Sequence, residues 1–186
     1  MKILFTVFVL LVPALAWAHP GHGGSGLVSG MAHPFSGLDH VLGMLAVGVW
    51  AARNSGAKGW FVVAAFSVGM LAGGLIGLDS VVPSFVESAV AASVLASALL
   101  VALAVRLPLQ AQVGVAAFFA LWHGIAHGAE LPEMASPVGY VVGFLLATAS
   151  LLITGMVAGK LLDQHERERR IFGAGMAAVA VSLFWA

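Results

Sequence analysis

Six stretches rich in apolar residues, 38–52, 59–78, 85–105, 109–129, 137–159 and 171–186, follow one another with little between them. A helix needs about 20 apolar residues to cross the hydrocarbon core of a bilayer. The middle four stretches reach that length, and the first and last are short. What separates them are turn signals: Asn54-Ser55-Gly56, residues 79–83, Pro108, Leu131-Pro132 and the charged run 160–170. These connections leave no room for a soluble domain. Nor could a soluble domain of 186 residues hide a chain that is 61% hydrophobic behind 9% charged residues. The sequence therefore predicts an all-α integral membrane protein with six transmembrane helices, and its principal solvent is the lipid bilayer.

Ahead of the first stretch, residues 1–18 carry the parts of a secretory signal: Lys2, an apolar run, then Ala16-Trp17-Ala18 as a small-x-small cleavage site. The expected organisation is a signal peptide at 1–18, an external histidine- and glycine-rich segment at 19–37 and a six-helix domain at 38–186. An uncleaved first helix is the alternative. With an external amino terminus, the cytoplasmic loops are those after the first, third and fifth helices, which hold Arg53 and Lys58, then Arg106, then Lys160, Arg167, Arg169 and Arg170. The external loops carry Asp79, Glu87, Glu130 and Glu133 and no basic residue. The positive-inside rule thus predicts that both mature ends lie outside. Net charge is zero, so nothing suggests a nucleic-acid partner. Glycine pairs four apart, Gly69/Gly73/Gly77, Gly124/Gly128, Gly139/Gly143 and Gly155/Gly159, predict close helix crossings.

The chain has no cysteine, which leaves imidazole, carboxylate, thioether and backbone oxygen as metal ligands. Six of its seven histidines, His19, His22, His33, His40, His123 and His127, fall at or near the external face, and only His165 is cytoplasmic. On the fourth helix His123, His127 and Glu130 are spaced i, i+4, i+7, which stacks them on one face. Ionisable groups in a membrane helix are costly, so they mark either function or a hydrogen-bonded packing cluster. At the first helix, Ser36 is a candidate cap and Asp39 stands at the capping-box position. Asp39 is equally suited to orient His40 from behind. Together His33, His40, His123, His127 and Glu130, with Asp39 as a further member, form a nitrogen and oxygen set suited to Ni²⁺, Co²⁺ or Zn²⁺; Ca²⁺ and Mg²⁺ would want mostly oxygen. His19 and His22, in a glycine-rich tail, are candidates for metal capture, beside the plainer reading of a solvated tail.

These residues carry a resemblance. The element H-x5-D-H, present as His33 with Asp39 and His40, and the element Trp122-His123-Gly124-Ile125-Ala126-His127-Gly128-Ala129-Glu130 resemble the two motifs of the HupE/UreJ family of nickel and cobalt permeases. Trp122 stands where the family has phenylalanine. The resemblance covers nearly the whole mature chain. It implies a bacterial inner-membrane permease, not an enzyme, serving hydrogenase or urease maturation or cobalamin supply, with metal as transported substrate and no tightly bound cofactor.

Other classes remain open on the residues alone: a haem-binding electron-transfer protein, or a membrane metal sensor or assembly factor. An intramembrane metalloprotease would need a glutamate after the first histidine of His123-Gly124-Ile125-Ala126-His127. No phosphate-binding loop is present, so transport would not consume nucleotide. Nickel against cobalt, proton coupling and oligomeric state, a homo-oligomer included, are not fixed by the sequence.

Overall fold

The computed structural model describes residues 26–78, 83–130 and 136–184, and these are helices joined by short turns. The signal segment 1–18, His19, His22, Asp79, Leu131-Pro132 and Glu133 lie outside the described residues. The elements run α1 (Gly26–Ala32), a 3₁₀ turn (His33–Phe35), α2 (Leu38–Ala51), α3 (Lys58–Gly77), α4 (Phe85–Ala102), α5 (Leu109–Ala129), α6 (Pro137–Leu161) and α7 (Glu166–Ser182). Four of them, α3, α4, α5 and α6, are long and apolar enough to cross a membrane, whereas α2 is apolar but has only 14 residues.

The short helix is the central one. Val41, Met44, Leu45, Val47, Val49, Trp50 and Ala51 are all buried, and α2 packs against α3, α4, α6 and α7. At 1.5 Å per residue it spans only about 21 Å, less than a bilayer core.

Small residues set the helix spacings. A methyl group at Gly73 would stand 3.0 Å from the Gly124 Cα, and one at Gly124 would stand 2.9 Å from the Gly73 Cα. The α3–α5 backbones therefore approach as closely as the glycine spacing suggests. Gly48 and Gly155 lock α2 onto α6 in the same way, a Cβ at Gly48 falling 2.9 Å from the Gly155 Cα. Gly30 and Gly143 do so for α1 and α6, where a Cβ at Gly143 would lie 2.9 Å from the Met31 nitrogen.

Several local expectations need correction. Ser36 does not cap α2: its hydroxyl donates to the His33 carbonyl at 2.6 Å, and the N-cap is Gly37, whose extended backbone (φ −116°, ψ 133°) turns the chain into the helix. Asp39 consequently makes no capping box. The third expected stretch ends early, at Ala102, beyond which Ala104 takes a positive φ of 55°. The charged run 160–170 is helical at both ends, because α6 continues to Leu161 and α7 begins at Glu166. Oppositely charged side chains pair along that first turn, Arg170 Nε reaching Glu166 Oε1 at 3.2 Å. At the start of α6, Ser136 accepts from the Gly139 amide at 3.3 Å with Pro137 in the first turn, a combination that suits a helix start.

The helices alternate in direction, which sorts the charges. Every lysine and arginine among the described residues lies at one end of the bundle, while Asp39, Glu87 and Glu130 lie at the other with His33, His40, His123 and His127.

Candidate metal centre

Three elements deliver the site. The 3₁₀ turn after α1 presents His33, the first turn of α2 presents Asp39 and His40, and the last turn of α5 presents His127 with Glu130 as its C-cap. Although His33 and His127 are 94 residues apart, His33 Nε2 lies 2.9 Å from His127 Nδ1. The same His127 nitrogen is 3.3 Å from His40 Nε2 and 3.4 Å from Glu130 Oε2. Glu130 Oε2 is in turn 3.1 Å from His33 Nε2. Ligand atoms of His33, His40 and His127 all fall within 4.8 Å of one another.

This geometry is more than a set of hydrogen bonds. One ring nitrogen, His127 Nδ1, can donate or accept along a single lone-pair direction, yet three neighbours face it. A cation would engage all of them at once. For metal–nitrogen bonds of about 2.1 Å, adjacent ligands sit about 3.0 Å apart in an octahedron and about 3.4 Å apart in a tetrahedron, close to the 2.9, 3.1, 3.3 and 3.4 Å of these four contacts.

Asp39 supplies what lies behind. Its Oδ1 is 2.6 Å from His40 Nδ1, so its negative charge favours a proton on that nitrogen, while Nε2 faces the centre. Exposure is graded across the cluster: the Glu130 side chain is 57% exposed, His33 23% and His127 3%. The open side is thus carboxylate and the closed side imidazole. Hydrogen bonds from the His127 ring, then from His33, hold the Glu130 carboxyl well below the usual carboxylate range, so it is an anion under all ordinary conditions.

His123 stands apart. Its Nδ1 faces the Phe119 carbonyl at 3.0 Å, its ring centroid is 5.9 Å from that of His40, and its buried Nε2 has no hydrogen-bond partner. The structure therefore brings together His33, His40, His127 and Glu130, puts Asp39 behind His40, and sets His123 one turn deeper.

Tyr140 and Phe144 on α6 were not singled out by sequence. The Phe144 ring lies 4.6 Å from His127 and the Tyr140 ring 5.8 Å from His33, walling the cluster on the α6 side. The signal for them was the Gly139/Gly143 pair, which marks the α6 face that receives α1. A shallow cleft between α3, α5 and α6 also reaches His127, but Leu71, Leu75, Leu78, Val141 and Leu145 line it. Such walls suit lipid, not a hydrated ion.

The family model "HupE / UreJ protein" matches residues 7–183. "Protein HupE" of Rhizobium leguminosarum bv. viciae is 43% identical over 155 residues, covering 83% of this chain and 81% of that protein. No solved structure matches the chain. With a family model matched along nearly its whole length and a relative of this similarity, the chain belongs to the HupE/UreJ family.

Proposed function

We propose that the protein imports a divalent transition metal as a secondary transporter or facilitator, Ni²⁺ first and Co²⁺ second, with the ion as cargo. The observation that carries this reading is the convergence of three imidazole nitrogens and one carboxylate oxygen from three separate elements on a single point. Borderline ions favour that mixture of donors. In this reading six helices span the inner membrane after removal of the signal at 1–18, both mature ends are external, and His19 and His22 capture metal ahead of the cluster. The ion sheds water first to Glu130 and His33 at the open rim, then to His40 and His127. Release is favoured by protonation, since imidazole must be neutral to ligate. The cargo serves hydrogenase or urease maturation, or cobalamin supply.

A metal sensor or assembly factor would share the cluster but move no ion. A haem protein is disfavoured, because nitrogens 2.9 Å apart leave no slab of space for a porphyrin between them. The test is uptake of radiolabelled nickel, with unlabelled cobalt, zinc and copper as competitors, in cells expressing wild type, His40→Ala or His127→Ala at matched membrane levels. Uptake in wild type that falls to background in both variants is expected. No uptake by wild type would overturn the transport reading.

A further inference from the structure

At the end of the bundle opposite the histidines, the structure buries two guanidinium groups. The side chain of Arg169, on α7, is 3% exposed, and that of Arg53, just past α2, is 9% exposed. Both turn to one carboxylate. Glu166 Oε2 lies 3.5 Å from Arg53 Nη1 and also accepts from Arg169 Nη2. A second acid, Asp163, is 3.6 Å from Arg169 Nη1 and 53% exposed. The Nε atoms of both arginines are buried without a hydrogen-bond partner. The next residue extends the tie: Asn54 donates to Gln112 Oε1 on α5 at 2.8 Å, and its carbonyl accepts from Lys160 Nζ on α6 at 3.0 Å. Two consecutive residues thus fasten the end of α2 to α5, α6 and α7.

Three features make this arrangement a closure and not only a fastening. Exposed ion pairs contribute little, and Glu166 is 43% exposed, but the two arginines are not: loss of its carboxylate leaves Arg53 with no acid in ion-pair reach among the described residues and Arg169 with Asp163 alone, while the two cations repel each other. The unpartnered Nε atoms mean that the closed arrangement leaves polar groups that water would satisfy. Beyond the latch, the buried face of α5 runs from Gln112 through Ala116 and Ala120 to His123 and His127, so a polar side chain stands at the latch end of this face and two imidazoles at the other, with two fully buried alanines in the apolar core between them. Since α2 carries His40 in its first turn and Arg53 directly after its last, a displacement at the histidines is passed along a rigid element to this point.

We propose that Arg53, Glu166 and Arg169 form an ion-pair latch that closes this end of the bundle, and that releasing Glu166 admits water along α5 from Gln112 toward the histidines. The inference rests on the permeation reading only in naming this path as the exit for cargo.

The test needs no metal. The chain has no cysteine, so Ala116→Cys provides a single thiol at a fully buried position. Its labelling by a membrane-impermeant thiol reagent is followed in inside-out and right-side-out vesicles, with and without Glu166→Gln. Glu166→Gln is expected to speed labelling at least tenfold from the arginine side alone. If Glu166→Gln does not reach the membrane folded, Glu166→Asp, one methylene shorter, is read the same way. Equal labelling with and without the substitution in folded protein overturns the latch, as does acceleration from both sides, which would report loosening of the whole bundle. Because no ion takes part, either result leaves the nickel-uptake outcome to be judged separately.

Discussion

The two ends of α2 are both polar, both buried in part and both built from residues far apart in sequence, but they are organised on opposite principles. At the histidine end, ligand atoms converge: His33 Nε2, His40 Nε2 and Glu130 Oε2 lie 2.9, 3.3 and 3.4 Å from His127 Nδ1, and one ring nitrogen cannot satisfy all three. At the arginine end, positive charges converge on Glu166, and donors outnumber acceptors. A cation placed at the first end completes it, whereas a cation placed at the second is repelled unless the carboxylate is set free. The difference shows that a polar cluster in a membrane bundle is read by the sign of what it lacks.

The largest expected effect breaks the comparison by exchanging histidines. His127→Ala should weaken Ni²⁺ binding to the purified protein by at least about 100-fold, more than the loss of an outer-sphere partner costs; His165→Ala, at the arginine end, should leave the affinity unchanged. Isothermal titration in detergent reads both. Equal losses would mean that the two ends do not differ in metal binding.

A middle-sized effect sharpens it. Asp39→Asn keeps the size of the side chain but removes the charge behind His40 Nδ1, and an affinity loss of about tenfold is expected, in the usual range for outer-sphere partners of a ligating histidine. Full affinity in Asp39→Asn would make the 2.6 Å contact incidental.

The smallest effect concerns a glycine. Gly56, near the arginine end, has φ +58° and nothing within 4 Å of an added Cβ, so Gly56→Ala should cost about 1 kcal/mol through backbone conformation alone. Thermal unfolding should register that shift while metal affinity stays at the wild-type value. A larger loss, or one that spreads to metal affinity, would show that the turn is coupled to the site.

Much of this was legible beforehand, and the reasons for the rest are local. The fourth apolar stretch coincides with α5, and the i, i+4 spacing of His123 and His127 does put both on its buried face. Spacing alone could not tell that His127 joins the cluster while His123 turns its Nδ1 to the Phe119 carbonyl, because that depends on which partner side chains reach each ring. The residues of α1, Gly26–Ala32, carry no apolar run long enough to read, yet this helix places His33 against His127. Its position comes from glycines on each helix admitting the backbone of the other, Gly30 against Tyr140 and Gly143 against Leu27 and Met31, a property of two surfaces that neither sequence segment shows by itself. Ser36 resembles a cap because an acid follows three residues on, whereas Gly37 takes the extended conformation and moves the boundary by one residue. The charges of 160–170 suggested a loop because they are polar, but their opposite signs at helical spacing allow them to extend the helix instead.

The brevity of α2 also has an electrical consequence. Where a bilayer is pierced by polar, hydrated groups from both faces, the voltage across it falls over the remaining dry distance. The helix between the two polar clusters is about 21 Å long, so with water admitted at both ends the dry distance would be of that order. A transmembrane voltage contributes roughly 2.3 kcal/mol per elementary charge per 100 mV, and about twice that for a doubly charged ion carried from one end of α2 to the other. A shortened central helix therefore concentrates the field of an energised membrane onto the segment between His40 and Arg53.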